Sequence, residues 1–169
     1  MVKDKKNKKE SLEFSERTES GSNPEAPFFI LIAEDDADDY LLIEEAFAQV
    51  VGNHKLVWVK DGEALMHHLS SKNNGRPSDR VIPNLIILDL NMPKISGLEA
   101  LQEIKSNKKL RRIPIVIFTT SRSEEDVVLA YDLGVNSFIQ KPTRFETLVD
   151  VIGTLHRYWF KVSKLPTTR

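Results

Sequence analysis

The feature that most constrains this chain is a regular alternation of short apolar runs with segments of helical periodicity. Three runs are apolar throughout, as is typical of strands buried on both faces: Phe28–Ala33, Leu85–Leu88 and Ile115–Phe118. Leu56–Val59 and Phe138–Gln140 are two further short strand candidates. Because buried strands that alternate with helices form parallel sheets, the sequence predicts a doubly wound α/β fold with a five-stranded parallel sheet.

A helix is predicted after each strand. The first begins in the acidic stretch Glu34–Asp39, and the second opens at Gly62. The fourth has an N-cap at Ser123, a C-cap at Gly134 and a buried face that includes Tyr131. The last helix begins near Arg144. Its apolar stripe is predicted to consist of Phe145, Leu148, Ile152, Leu155, Trp159 and Val162.

The 169 residues predict one folded domain with two tails. Residues 1–26 are rich in lysine, glutamate and serine and are predicted to be a flexible N-terminal tail. Residues 27–166 form the domain, with an extended last helix, and residues 167–169 are a short C-terminal tail. Lys72–Pro83 is polar and contains glycine and proline, so it is expected to be a loop.

Composition excludes several classes of protein. A formal net charge of −1 does not suit a nucleic-acid binder, which normally carries a basic excess. No apolar run reaches the roughly 18 residues that a membrane-spanning helix needs. The lysine-rich start lacks the apolar stretch of a secretory signal, and the chain has no cysteine. We therefore expect a cytoplasmic protein that binds neither nucleic acid nor membrane.

Unusual polar residues stand where the predicted strands end. Glu34 and Asp35 follow the first strand, Asp89 the third, Thr119 the fourth and Lys141 the fifth. Ligands of such sheets bind beyond the carboxyl ends of the strands. Three carboxylates brought together there would repel one another unless a cation joined them, and hard oxygen ligands favour Mg²⁺.

The remaining groups suit a phosphoryl group. Lys141 would act on it as a point charge and Thr119 as a hydrogen-bond donor, and an aspartate oxygen such as that of Asp89 is a chemically competent phosphoryl acceptor. Singly, each residue has an ordinary explanation as a turn former or a solvated charge, and Asp36, Asp38 and Asp39 are interpreted as helix-start charge alone. The coincidence of all these groups at one sheet edge favours a functional site.

These motifs resemble a known family. The series IAEDD, LIILDLNMPKISG, IVIFTT and SFIQKP is similar, in order and spacing, to the CheY-like receiver domain of response regulators. The resemblance covers Pro27 to about Leu155. It implies the flavodoxin-like (βα)5 receiver fold and a two-component phosphorelay function.

The resemblance also implies roles for the site residues. Asp89 would be the phosphoacceptor, with Asp35 binding Mg²⁺ directly and Glu34 mostly through water. The backbone carbonyl of Asn91 would be the third protein ligand. Lys141 would bridge to the phosphoryl group. A protein of this kind is not an enzyme, apart from catalysing its own phosphorylation and dephosphorylation.

A conformational switch is implied in the same way. Thr119 matches the switch hydroxyl and Phe138 the switch aromatic. On phosphorylation Thr119 would move inward and Phe138 would turn in, changing the surface formed by the helix Glu124–Leu133. The Lys141–Pro142 peptide bond is expected to be cis.

The partners implied are signalling proteins. The sequences KLRRIPIVIFTTS and YWFKVSKLP resemble small regulators that serve phytochrome-type histidine kinases, so the donor would be such a kinase. No output domain is expected after the last helix, which leaves protein–protein contact or transfer to a phosphotransfer protein. Tyr158, Trp159 and Phe160 cannot all face the core. They favour a homodimer contact, with packing against the chain's own residues Ser163–Arg169 as the alternative.

Two alternative functions fit the sequence less well. A phosphatase of the haloacid-dehalogenase type would carry a second aspartate two residues after its nucleophile, where this chain has Asn91. A receiver fold used only as a scaffold would not need the complete set of site residues. The basic run Lys105–Arg112 is interpreted as a solvated face, and His67 and His68 as surface residues.

Overall fold

The computed structural model describes residues 27–50, 52–70 and 82–166. Its strands are β1 Phe28–Ala33, β2 His54–Val59, β3 Leu85–Leu88, β4 Ile115–Thr119 and β5 Ser137–Gln140. Its helices are α1 Ala37–Ala48, α2 Gly62–Ser70, α3 Gly97–Ser106, α4 Glu124–Asp132 and α5 Phe145–Arg157, and a π-helical turn, Tyr158–Val162, continues α5. The predicted tails 1–26 and 167–169, and the loop residues before Ile82, lie outside the described residues.

The five strands form one parallel sheet in the order β2-β1-β3-β4-β5. The order reverses between β1 and β3, which is the switch point of a doubly wound fold. The predicted fold class is therefore confirmed. Alternate residues of β1 face opposite sides: Ile30 and Ile32 pack with α1 and α5, whereas Leu31 and Ala33 pack with α2, α3 and α4.

β2 begins two residues before the predicted start. His54 pairs with Phe28 and Lys55 with Phe29, so the register with β1 covers the whole of β1. These two residues were missed because a polar pair gives no strand signal. An edge strand can keep such side chains partly in water and still form its ladder.

The end of α5 differs from the predicted straight stripe. Ser163 donates its backbone N–H to the carbonyl of Tyr158 at 2.7 Å, which is the i→i+5 bond of a π-helix. The wider turn rotates the faces, so Trp159 and Phe160 are both buried and Tyr158 is exposed. The prediction that Val162 lies on the buried stripe is wrong, because its side chain is 67% exposed.

Two further predictions are wrong, and a third is wrong in part. Tyr131 is 52% exposed, since Ala130 is the residue of α4 that reaches the core. No cis peptide bond occurs among the described residues, so the Lys141–Pro142 bond is trans, the isomer that X–Pro bonds favour. The solvated face predicted for Lys105–Arg112 holds for Lys108, Lys109, Arg111 and Arg112, which are exposed, but not for Lys105. The Lys105 amine donates to the carbonyl of Ile113 at 3.0 Å and lies 3.4 Å from Asn136 Oδ1.

The start of α4 carries the cap predicted from sequence, because Ser123 accepts from the backbone N–H of Asp126. The start of α3 carries a capping box of Ser96 and Glu99, which was not predicted. Gly134 follows α4 with φ of 89°, a conformation that favours glycine. No helix in the described part of the chain is long and apolar enough to cross a membrane.

Candidate functional site

Backbone pairing beyond the strand ends aligns the predicted site residues. The N–H of Asp89 donates to the carbonyl of Ala33 at 3.0 Å, and the N–H of Lys141 donates to that of Thr119 at 2.8 Å. Glu34 is held in the same way, through its N–H, by the carbonyl of Val59 at 3.0 Å. Four adjacent strands therefore place their terminal side chains at one edge of the sheet.

The amine of Lys141 lies at the centre of the site. It is 2.6 Å from Oε2 of Glu34, 2.6 Å from Oδ2 of Asp39 and 3.2 Å from Oδ2 of Asp89. The lysine side chain is largely buried, as are Glu34 and Asp89. A buried carboxylate is costly without a positive partner. The Lys141 amine is that partner for side chains that follow β1, stand in α1 and follow β3.

Asp39 was missed by the sequence interpretation, which gave it only a helix-start role. It stands in the first turn of α1, where an acidic side chain needs no special explanation. The signal that could have found it is the closeness of α1 to the end of β1, which brings that turn to the edge where Lys141 lies. Asp36 does have the predicted role, because it caps α1 and accepts from the N–H groups of Asp38 and Asp39.

Three carboxylates form a potential metal site. Ligand oxygens of Glu34, Asp35 and Asp89 all lie within 4.8 Å of one another, and no other such cluster occurs among the described residues. Glu34 and Asp89 are buried, whereas Asp35 is exposed and faces water. An all-oxygen set with one open side fits a hard divalent cation that keeps several water ligands.

Burial and charge shift the pKa of two groups here. Burial raises the pKa of the Glu34 carboxyl to about 7, although its bonds to Lys141 and to the N–H of Asp36 oppose the rise. Burial alone would lower the pKa of the Lys141 amine. Its hydrogen bonds to Asp39 and Glu34 and the charge of Asp89 outweigh burial and hold that pKa above its ordinary value. The amine therefore stays charged at neutral pH.

The loop after β3 is shaped around Asp89. The N–H of Asn91 donates to Oδ1 of Asp89 at 3.3 Å, and the N–H of Gly97 donates to the carbonyl of Leu90 at 3.0 Å. A Cβ on Gly97 would lie 2.1 Å from the carbonyl oxygen of Asp89, so this close approach requires glycine. Lys94, with φ of 66°, pins the loop to the start of α2 through a 2.9 Å ion pair.

That ion pair joins Lys94 to Asp61, the residue before α2. Asp61 also accepts from the N–H of Ala64 at 2.7 Å. The loop that carries Asn91 is therefore anchored on both sides.

Thr119 and Phe138 lie on the same face of the sheet. Ile117 pairs with Phe138 and Thr119 with Gln140, and alternate residues of a strand share a face. Thr119 is fully buried, and its Oγ1 accepts from the N–H of Ser121 at 3.3 Å. Phe138 is half-buried against the core beneath α4. The arrangement places the hydroxyl and the aromatic ring on the α4 side.

His67 and His68 stand apart from the site, on α2. His67 is exposed, as predicted for a surface residue. His68 is half-buried, with its ring 5.9 Å from that of Phe29. The surface interpretation therefore holds for His67 and is incomplete for His68.

Comparison with known proteins gives one family. A model described as the response regulator receiver domain matches residues 30–153. The response regulator Rcp1 of Synechocystis sp. is 39% identical over 145 residues, which cover 86% of this chain and 96% of Rcp1. FilR2 of Methanothrix harundinacea, a probable methanogenesis regulatory protein, is 37% identical over 142 residues, covering 84% of this chain and 90% of FilR2.

Solved structures agree with these sequence matches. The phosphorylated cyanobacterial phytochrome response regulator RcpA aligns with a TM-score of 0.76 at 38% identity, covering 84% of this chain and 100% of RcpA. The Mn²⁺-bound form of Rcp1 aligns with a TM-score of 0.74 at 38% identity, covering 83% and 100%. These matches, together with the doubly wound parallel sheet and the acidic cluster at its switch point, show that the chain belongs to the response regulator receiver domain family, whose members take up a phosphoryl group on an aspartate in phosphorelays.

Proposed function

We propose that Asp89 is the phosphoacceptor of this chain and that Mg²⁺ is its metal ion. The observation that supports this most directly is the position of the Lys141 amine, 3.2 Å from a carboxylate oxygen of Asp89 beside Glu34. Asp89 presents one oxygen to Lys141 and the other to the backbone of Asn91. A carboxylate oriented at both oxygens is suited to attack on phosphorus.

The proposed metal ligands are the carboxylates of Asp35 and Asp89 and the backbone carbonyl of Asn91, with Glu34 acting mainly through water. The three clustered carboxylates support this assignment. When bound, Mg²⁺ supplies positive charge that offsets the charge of the phosphoryl oxygens. Asp35 faces water, so it leaves room for the hydration that Mg²⁺ retains.

In the proposed transfer, the P–N bond of a phosphohistidine breaks as phosphorus bonds to a carboxylate oxygen of Asp89. Lys141 exchanges its contact with Asp89 for one with a phosphoryl oxygen. The hydroxyl of Thr119 donates to another phosphoryl oxygen. Its Oγ1 at present accepts from the N–H of Ser121, which leaves the hydroxyl proton available for that bond. Small phosphodonors would react at the same oxygen, so the domain would catalyse its own phosphorylation. In dephosphorylation, water would attack phosphorus and the P–O bond to Asp89 would break, which releases inorganic phosphate and restores the carboxylate.

The inward movement of Thr119 is the proposed source of the signal. Thr119 and Phe138 share a face of the sheet, so space vacated by one can be taken by the other. Phe138 packs under α4, whose outer face exposes Val128, Leu129 and Tyr131. A turn of the Phe138 ring would therefore change the surface that α4 presents.

The proposed partners follow from the relatives. Receiver domains of this kind receive phosphoryl groups from histidine kinases, and the likeness to RcpA supports a kinase of the phytochrome type. A phosphotransfer protein is the proposed onward acceptor, and a homodimer through the exposed Tyr158 is a further part of the proposal. Residues 27–166 would act as one receiver domain between two tails, in the cytoplasm, which the lack of cysteine suits.

The test is a measurement of intact mass. The full chain is incubated with Mg²⁺ and acetyl phosphate and compared with Asp89→Asn, which keeps the shape of the side chain. A gain of one phosphoryl group that the variant lacks supports the proposal. Equal uptake by Asp89→Asn contradicts the assignment of Asp89. No uptake by the folded wild-type chain, with several donors tried, favours the scaffold function instead.

A further inference from the structure

Trp58 is the second-to-last residue of β2. Its ring lies against the acidic loop, Glu34–Asp36, between β1 and α1. Its indole Nε1–H donates to the backbone carbonyl of Glu34 at 2.7 Å. The ring stacks on Tyr40 of α1, with centroids 4.3 Å apart and planes 2° from parallel. The amine of Lys60 lies 4.7 Å from the centroid of the Trp58 ring. Contacts from two other residues therefore fix the orientation of the indole.

Both backbone polar groups of Glu34 are held by β2. Its N–H donates to the carbonyl of Val59 at 3.0 Å, and its carbonyl accepts from Trp58. That carbonyl belongs to the peptide group that joins Glu34 to Asp35. The orientation of this peptide plane sets the direction in which the two acidic side chains leave the backbone.

Packing alone does not explain a tryptophan here. β2 is an edge strand, and Trp58 is only half-buried. A phenylalanine would provide a ring to stack on Tyr40. The indole differs from a phenyl ring in carrying an N–H donor, and that N–H donates to the carbonyl of Glu34.

We propose that Trp58 is a positioning residue for the metal site, acting through the Glu34–Asp35 peptide group. The inference rests on the proposed function, because it assumes that Glu34, Asp35 and Asp89 hold a divalent cation. Partners that orient metal ligands govern affinity as well as geometry. Trp58 touches neither the cation nor the phosphoryl group and acts only by holding the peptide plane.

The experiment measures Mn²⁺ affinity by electron paramagnetic resonance of the free ion, using the full chain. Trp58→Phe keeps a stacked ring and removes the donor. Trp159→Phe is a matched control, because it makes the same substitution at the other tryptophan, on the π-helical turn remote from the acidic loop. We expect affinity to fall about tenfold in Trp58→Phe and to stay unchanged in Trp159→Phe.

Each outcome bears on the inference. Unchanged affinity in Trp58→Phe overturns it, and so does an equal loss in both variants, since that loss reflects general loosening. Failure of the wild-type chain to bind Mn²⁺ is a separate result: it overturns the proposed metal site and the inference with it. Loss in Trp58→Phe alone supports the positioning role.

A second measurement leaves Trp58 in place, in case Trp58→Phe does not fold. Trp58 is the only tryptophan in Trp159→Phe, so its emission reports on the indole directly. If the indole bond and metal binding are coupled, each affects the other. We expect the emission to change with the same midpoint as Mn²⁺ binding. Unchanged Trp58 emission at Mn²⁺ concentrations that saturate the site would contradict the inference.

Discussion

Lys141 Nζ lies 2.6 Å from Oε2 of Glu34, although the two residues are 107 positions apart in the sequence. The contact joins the end of β5 to the end of β1 across two intervening strands. It gives two buried carboxylates, Glu34 and Asp89, a shared positive partner. If the proposed metal ion binds at this edge of the sheet, its affinity and the stability of the fold are therefore linked through one amine.

Replacing that amine should make stability depend on metal. In Lys141→Met, buried carboxylates lose their partner, and we expect the free energy of unfolding to fall by about 1–3 kcal/mol in metal-free buffer. Added Mg²⁺ should stabilise the variant more than the wild type, because it offsets the same charges. Urea unfolding with and without Mg²⁺ measures both effects. An equal gain from Mg²⁺ in the two proteins would show that the linkage is absent.

The contact of Asp39 with Lys141 should have a smaller effect. Asp39 is partly exposed, so Asp39→Asn is expected to lower the free energy of unfolding by about 0.5–1 kcal/mol while the proposed phosphorylation of Asp89 persists. Asp38→Asn is the control, since it removes a neighbouring charge of the same helix turn. Urea midpoints compare the variants. Equal losses would mean that helix-start charge, and not the lysine contact, is responsible.

The loop around Asp89 should not tolerate a side chain at Gly97. Gly97→Ala would place its Cβ 2.1 Å from the carbonyl oxygen of Asp89 and 2.7 Å from the Cα of Leu90, both backbone atoms. We expect a loss of about 1–3 kcal/mol and weaker Mg²⁺ binding, because the loop must shift. Thermal unfolding measures the stability.

A matched glycine gives the opposite expectation. A Cβ on Gly153, in α5, meets no atom within 4 Å. Gly153→Ala should therefore stabilise the chain by up to about 1 kcal/mol through helix propensity. If both substitutions destabilised the protein equally, the close approach at Gly97 would not be the cause.

Two histidines should make the fold sensitive to acid. Burial lowers the pKa of His54 and His156, and for His156 the neighbouring His54 and Lys161 lower the pKa further. The unfolded chain then binds more protons than the folded one below about pH 6.5, so their contribution to stability is present above that pH and is lost as pH falls. Urea midpoints across this range measure the loss.

The contribution of His156 can be isolated by comparing how steeply the free energy of unfolding depends on pH in the wild type and in His156→Phe. Glu34 has the opposite sign, because its pKa is raised to about 7, so its contribution is lost as pH rises from about 4.5 towards 7. That effect is common to the wild type and His156→Phe. The variant should therefore lose less stability on acidification than the wild type, whereas His67→Gln, on the exposed face of α2, serves as the control. If the free energy of unfolding changed equally with pH in wild type and His156→Phe, His156 would not be a source of the acid sensitivity.

The parts of the fold that could be predicted from sequence are those with one dominant physical signal. β1 and β3 have the predicted bounds, because a run buried on both faces must be apolar throughout. The start of β2 at His54 could not be predicted, since an edge strand tolerates polar residues. The π-helical turn could not be predicted either, because its i→i+5 bond at Ser163 has no signature in the order of residue types.

Some residues of the candidate site could be located from sequence and others could not. The strand-end residues could be located because parallel strands share one carboxyl edge, and the structure brings Glu34, Asp89 and Lys141 into contact there. Asp39 and Trp58 could not be located. Their roles depend on α1 and β2 lying beside the end of β1, and each residue type has an ordinary explanation where it stands.

The π-helical turn has a practical consequence for handling this protein. Its wider winding stacks Phe160 on Phe28, with ring centroids 4.3 Å apart, so the last turn of the described fold touches the first residue of β1. Phe28 opens its strand, at the edge of the sheet opposite to Asp89. Fluorophores attached just before Phe28 and just after Phe160 would therefore lie close together and away from Asp89, the proposed phosphoacceptor. Energy transfer between them would report whether the ends of the domain separate, without a label obstructing an approaching kinase.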